Sequence, residues 1–275
     1  ALSYELPVKY KKKNIEMPFK KTELGKFLND IFKYRPNRQG HIDFLQRFLG
    51  LCLTGEVEDQ KFVVWLGKKG ANGKGLLVDL MKEILGRKMV NLEKSDVIKG
   101  RSTFLQKRSD LVFAKCAQAN LAIVNETNQG EQLEEALIKR MTGLNNNEHV
   151  NCKWLFKDQV DMPMFFKCLF STNFMPEFDG TDEALIRRLI VLKFDRYYRD
   201  VDDHDYDPND IYCGVRDRHV LKRIRKEGLF LQWVIEGAKK YYETGLNPPK
   251  EMLYDRDTQV VDNDELGTWL KEILE

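Results

Sequence analysis

An apolar run, Phe62-Val63-Val64-Trp65-Leu66, is followed by four glycines within residues 67–75 and then by helical apolar spacing from Leu76 to Leu85. No other part of the chain constrains the fold as tightly. Strand, glycine-rich turn and helix in that order form the context in which backbone N–H groups and a helix N-terminus converge on an anion, with a lysine reaching the β- and γ-phosphates. The candidate loop takes in Gly67, Lys69, Gly70, Ala71, Asn72, Gly73, Lys74, Gly75 and Leu76. Two positions depart from the usual pattern. Five residues rather than four separate Gly67 from Gly73, so the strict first-glycine position is Lys68. Gly75 stands where a Ser or Thr hydroxyl would hold Mg²⁺. Glycine at a helix start costs about 1 kcal/mol against alanine, so the core Gly70-x-Asn72-Gly73-Lys74 requires a reason. The bland alternative is a glycine-rich turn with an exposed lysine.

With 275 residues and 42% hydrophobic content the chain can bury one large core, with room for small appendages. No apolar run approaches the ~20 residues that span a bilayer, and Ala1 to Tyr10 has no signal-type apolar region, so no membrane partner is expected. The start without Met suggests a piece of a longer polypeptide. Five dispersed cysteines (Cys52, Cys116, Cys152, Cys168, Cys213), none in a C-x-x-C, read as reduced intracellular thiols and not as a disulfide or zinc framework. A net charge of +2 excludes a uniformly basic coat, so any nucleic-acid contact must be local. Lys11-Lys12-Lys13 reads most simply as a solvated arm and the acidic stretch 200–210 as a surface loop.

Helical spacing of Phe19, Leu24, Phe27, Leu28, Ile31 and Phe32, and of Ile42, Leu45, Phe48, Leu49 and Cys52, predicts packed helices over 19–55. Short apolar runs at 61–66, 121–125, 165–171 and 188–194 read as buried strands, with helices at 76–86 and 131–142 between them. The alternation predicts an α/β class: a parallel sheet flanked by helices. Helices follow at 218–227, from Leu229 through Ala238, and at 263–274, with Asn247-Pro248-Pro249 as a break. The expected division is an N-terminal helical segment (1–57), a nucleotide-binding core (58–200) and a C-terminal helical region (201–275).

Several strand ends carry polar residues. Leu121 to Val124 ends in Asn125-Glu126, and an acidic residue there can polarise a water or help hold Mg²⁺. Leu169-Phe170-Ser171-Thr172 ends in Asn173, which could orient a water or simply satisfy turn backbone. Arg187-Arg188 precedes Leu189 to Leu192; a solvated edge and an arginine offered to a neighbouring subunit's nucleotide both fit.

In order, Gly-x-Asn-Gly-Lys, Ile123-Val124-Asn125-Glu126-Thr127, Ile138 to Gly143, Ser171-Thr172-Asn173-x-x-Pro176, and Arg187-Arg188-Leu189 with Phe194 resemble the superfamily 3 helicase module of phage- and plasmid-type primase–helicases. The resemblance covers roughly residues 20 to 262. It implies an AAA+-like P-loop NTPase sheet and a homo-oligomer, usually a hexameric ring, around single-stranded DNA. It also implies ATP and Mg²⁺ as cofactors, a covalently linked N-terminal primase or polymerase part, and work in the host cytoplasm. Residue by residue, it implies that Lys74 contacts the phosphates and Glu126 is the hydrolytic carboxylate and a weak Mg²⁺ ligand. Asn173 is then the sensor, and Arg188, or with less support Arg187, the arginine finger. Asn125 replaces an acidic residue common in the family, which thins metal support further. The family's DNA-contacting hairpin matches His149 through Phe166, whose alternating apolar residues suit two strands. Lys157 at its tip, Lys153 and His149 are the candidate DNA contacts, although a hairpin lysine is in most folds a solvated charge. The leading expectation is an ATP-driven helicase or translocase in DNA replication. A nucleotide-binding scaffold that tethers a primase or polymerase with little hydrolysis is the alternative; a small-molecule kinase would explain neither hairpin nor arginines.

Overall fold

The computed structural model describes residues 7, 10, 12–13, 17–100, 105–145, 149–153 and 159–262. Along the chain lie α1 (Glu23–Ile31), α2 (Arg38–Leu51), β1 (Phe62–Leu66), α3 (Lys74–Leu85), β2 (Met89–Leu92), α4 (Lys94–Val97), α5 (Leu105–Cys116), β3 (Leu121–Asn125), α6 (Glu135–Thr142), β4 (His149–Lys153) and β5 (Gln159–Pro163). Then follow β6 (Lys167–Thr172), α7 (Glu183–Ile186), β7 (Leu189–Lys193), β8 (Tyr197–Arg199), β9 (Cys213–Val215), α8 (Val220–Glu227), α9 (Phe230–Thr244) and α10 (Lys250–Asp262). These residues form two compact units, each drawn from three separate stretches of chain.

The unit built from 55–66, 88–193 and 250–275 holds a five-stranded sheet in the order β2-β3-β6-β1-β7, every pairing parallel. All five residues of β1 and all six of β6 are buried, as expected of central strands covered on both faces. Phe62, Val64, Ala122, Val124, Cys168, Phe170, Leu189 and Val191 alternate along their strands and share one apolar core with Val112 and Phe113 of α5 and Ile138 of α6. The register aligns the strand ends: Leu66 lies beside Thr172, and Asn125 beside Ser171. The candidate residues at the ends of β3 and β6 therefore emerge at one edge of the sheet, the edge where open parallel sheets bind ligands. β4 and β5 pair antiparallel from His149–Pro163 to Lys153–Gln159, as the alternation predicts.

The unit built from 1–54, 67–87 and 194–249 is mainly helical. α2 and α9 cross at backbone distance. A Cβ on Gly50 would lie 2.1 Å from the Ala238 nitrogen, and one on Gly237 would lie 2.0 Å from the Gln46 carbonyl oxygen. Gln46 Nε2 donates to the Trp233 carbonyl (2.8 Å) across the same contact. The Phe19 ring stacks on Trp233, and Arg47 donates to the carbonyls of Leu246 and Asn247 (3.0 and 2.9 Å), anchoring the turn beyond α9.

All four expected strands are present within two residues of their expected ends, and helices stand at 74–85, 135–142, 220–227 and 230–244. The helix expected over 131–142 starts at Glu135, because 132 and 133 instead form bridges to Glu177 and Ile98. β2, α5 and α10 were not anticipated. α10 lacks an apolar stripe because it buries Asp255 and Gln259 beside Met252, and Asp255 pairs with Lys193 of β7 at 3.0 Å. The helix expected at 263–274 and Lys157 lie outside the described residues. The side chain of Lys153 does as well. The division 1–57, 58–200 and 201–275 follows chain order, whereas compactness groups the residues differently.

Candidate functional site

The glycine-rich loop closes on its own lysine. Lys74 opens α3, is buried, and its Nζ donates to the Gly67 carbonyl (3.2 Å) and to Asn72 Oδ1 (3.3 Å). A Cβ on Gly67 would sit 2.7 Å from Lys74 Nζ and from the Asn72 side chain, so a larger residue there would displace the lysine or the asparagine. Gly73, the N-cap of α3, takes φ +87°, a region open to glycine, and faces the Phe27 ring. Burial lowers the Lys74 pKa from its usual 10.5 to about 8. A buried ammonium beside helix N-terminal N–H groups is suited to take an oxyanion, which would neutralise the charge that burial disfavours.

Asn72 is the hinge-pin of the loop. Its Nδ2 donates to the carbonyls of Phe194 (3.1 Å) and Arg196 (2.7 Å) while its Oδ1 receives Lys74. The strand β8 braces the same loop: Tyr198 N–H donates to the Ala71 carbonyl (3.1 Å) and Arg199 Nη1 to the Gly70 carbonyl (3.1 Å). Tyr198 Oη donates to Asp30 of α1 (2.6 Å), and burial pushes that phenol well above its ordinary range. Lys69 donates to Tyr197 Oη (2.9 Å) and Asp210 (3.3 Å), and the Tyr197 hydrogen bond raises its pKa. Ala71 also carries positive φ, +60°. Gly75 is exposed, and a Cβ there would meet nothing within 4 Å. Space therefore does not dictate glycine at the position where a hydroxyl would support Mg²⁺.

In the sheet-bearing unit, Glu126 follows β3, is exposed, and has φ +57°, a conformation that costs a non-glycine residue about 1–3 kcal/mol. Its N–H donates to the Ser171 carbonyl (3.1 Å). Asn173 follows β6 and is half-buried. The buried hydroxyls of Thr127 and Thr172, the sequence neighbours of Glu126 and Asn173, lie 2.7 Å apart. Neither threonine was singled out from sequence, although both stand inside the motifs Asn-Glu-Thr and Ser-Thr-Asn.

The two arginines differ. Arg188 is buried, its Nη1 donates to the Ala184 carbonyl (2.5 Å), and burial lowers its pKa. Its Nε has no hydrogen-bond partner among the described residues. Arg187 is exposed. His149 is exposed at the start of the β4–β5 hairpin. Among the described residues no group of three or more His, Cys, Asp and Glu could hold a metal ion, and no helix is long and apolar enough to cross a membrane.

These features define a mixed α/β protein with a five-stranded parallel sheet flanked by helices, carrying a glycine-rich loop that encloses a buried lysine. The fold resembles the C-terminal region of NrS-1 in two apo structures, with TM-scores of 0.51 at 17% and 15% identity. Each likeness covers 90% of this chain, and 54% and 55% of the NrS-1 chains. Residues 65–188 match the model of a family of unknown function, DUF5906. In sequence the chain is similar to "Putative helicase L207/L206" of Acanthamoeba polyphaga mimivirus, 23% identical over 207 residues. It is also similar to "Putative helicase 184R" of Invertebrate iridescent virus 6, 25% identical over 196 residues. These matches cover 75% and 69% of this chain and 19% and 20% of the viral proteins, so the chain spans about a fifth of the curated relatives' length.

Proposed function

We infer that the chain is the ATP-hydrolysing motor part of a replication helicase of the superfamily 3 type, translocating on single-stranded DNA as a ring of identical subunits. The observation that carries this reading is Lys74, buried at the start of α3 with its ammonium held by Gly67 and Asn72. The likeness to viral proteins named as helicases supports it.

On this reading Lys74 exchanges the Gly67 and Asn72 oxygens for β- and γ-phosphate oxygens, and the N–H groups of 72–76 take the remaining charge. Glu126 polarises the attacking water, and Asn173 orients it. ATP brings Mg²⁺, which supplies charge neutralisation on the phosphates. Of this chain's residues Glu126 would support the ion, while Gly75 offers it no hydroxyl. The burial of Arg188 favours Arg187 as the arginine offered to the neighbouring subunit, since Arg188 would have to abandon a buried hydrogen bond. The hairpin of β4 and β5, with His149, Lys153 and Lys157, would meet the DNA backbone, which gives affinity without sequence preference.

The absence of a hydroxyl at Gly75 favours a second reading, an oligomeric nucleotide-binding scaffold that tethers a primase or polymerase with little hydrolysis. ATP turnover with and without single-stranded DNA, alongside the mass in solution, decides between them. The motor reading expects DNA-stimulated turnover that Lys74→Ala reduces by 100-fold or more. Tight ATP binding with no turnover, or a monomer under every condition, would overturn it.

A further inference from the structure

Beyond the last paired rungs of β3 and β6 the two strand ends are held together by side chains. Thr172 Oγ1 accepts two amide protons, from Thr127 N–H and from Phe174 N–H, both at 3.2 Å. These are the peptide groups that immediately follow Glu126 and Asn173. One hydroxyl oxygen thus receives the backbone beyond both polar residues. The Thr127 hydroxyl donates to the Phe174 carbonyl (2.7 Å), and the Thr172 hydroxyl has the carbonyls of Phe174 (3.0 Å) and Thr127 (3.3 Å) within reach of its proton. Both threonines are almost wholly enclosed, at 3% and 2% exposure, so water does not substitute for a lost partner at either.

We propose that Thr172, assisted by Thr127, is a positioning residue that fixes the Glu126 carboxylate relative to Asn173. This rests on the reading of Glu126 as the hydrolytic carboxylate. The warrant is Glu126's backbone. A glutamate at φ +57° does not hold that conformation unaided, and its exposed side chain offers no packing to keep it there. Two hydrogen bonds bracket the residue instead: its own N–H on the Ser171 carbonyl, and the next N–H on Thr172 Oγ1. The first continues the β3–β6 ladder, and the second depends on a single hydroxyl. Valine at 172 keeps the volume but deletes the acceptor, leaving the buried Thr127 amide and the part-buried Phe174 amide without it and Glu126 free to return to ordinary φ. The carboxylate would then swing with its backbone, and a displacement of about 1 Å can cost on the order of 100-fold in a positioned reaction.

The test compares Thr172→Val, Thr172→Ser, Thr127→Val and Glu126→Gln in the full-length protein. It measures nucleotide Kd, kcat, melting temperature and amide exchange at Thr127 and Phe174. Thr172→Val is expected to keep Kd within about twofold while kcat falls tenfold or more, and to lose protection at both amides. Thr172→Ser, which retains the acceptor, is expected to stay within about threefold of the parent in kcat. If Thr172→Val does not fold, Thr127→Val carries the test, with at least a threefold fall in kcat at unchanged Kd. Parent-like kcat in Thr172→Val, or in Thr127→Val where that variant must serve, overturns the proposal. So does Thr172→Ser as impaired as Thr172→Val, since a merely structural threonine gives that pattern. Glu126→Gln separates the two readings. Turnover that survives it overturns the role of Glu126 itself, whereas turnover lost there and intact in the threonine variants overturns the positioning alone.

Discussion

Lys74 carries a charge that its surroundings only half accept, and this has a measurable consequence. Burial holds its pKa near 8 in the nucleotide-free protein, against 10.5 for an open chain. Between those values the unfolded chain binds more protons than the folded one, so the nucleotide-free fold gains stability as pH rises from about 8 toward 10.5. On the proposed reading phosphate binding needs the ammonium, so nucleotide affinity should move the other way. It is expected to be flat below pH 8 and to fall above it, approaching tenfold per pH unit, with proton uptake on binding near pH 8. Calorimetry in buffers of differing ionisation enthalpy reads that uptake directly. Gly75 supplies a second prediction at this scale. Because a side chain there meets open space, Gly75→Ser should fold with about 0.5 kcal/mol more stability and raise turnover several-fold at limiting Mg²⁺. An unchanged Mg²⁺ dependence would show that the missing hydroxyl is not what limits metal support.

The pair α2 and α9 depends on two glycines that leave no room for a methyl group. Gly237→Ala pushes a Cβ into the Gln46 carbonyl, and the helices must separate or rotate, at a cost of about 2–3 kcal/mol. Urea denaturation should show that loss as a lower midpoint, while nucleotide contacts of the loop remain. Elements of this kind were partly legible in the sequence, for physical reasons. β1, β3 and β6 announce themselves because central parallel strands are apolar on both faces, β7 because its edge position is covered all the same, and α9 because Phe230, Trp233 and Val234 line one side. α10 stayed hidden since its buried face is Asp255 and Gln259, readable as interior only once Lys193 is known to lie opposite. β8, three residues long, has no period to detect, yet Tyr198 and Arg199 brace the loop. The site divides similarly. Lys74 was visible from its glycines, whereas Thr127 and Thr172 matter through hydroxyl geometry that spacing does not encode.

At the scale of the whole molecule the proposed ring puts the arginine pair at the boundary between copies of the chain. Arg187 is exposed and Arg188 is tied to Ala184, so the two should respond differently to substitution. Arg187→Ala is expected to keep the melting temperature and nucleotide Kd of the parent while losing turnover by 100-fold or more. Arg188→Ala should lower stability by about 1–3 kcal/mol through lost packing and a lost buried bond. Mixing Arg187→Ala with Lys74→Ala subunits should restore part of the turnover if the arginine acts across a subunit boundary, and none if it acts within one chain.

The path of the backbone adds a last point. The chain passes from one compact unit to the other at 54/55, 66/67, 87/88, 193/194 and 249/250. A deletion, a fusion or a protease cuts a polypeptide at one or two places, and no such pair of cuts releases either unit whole. Genetic shuffling at one or two of these joints therefore cannot lend either unit whole to another protein without part of the other.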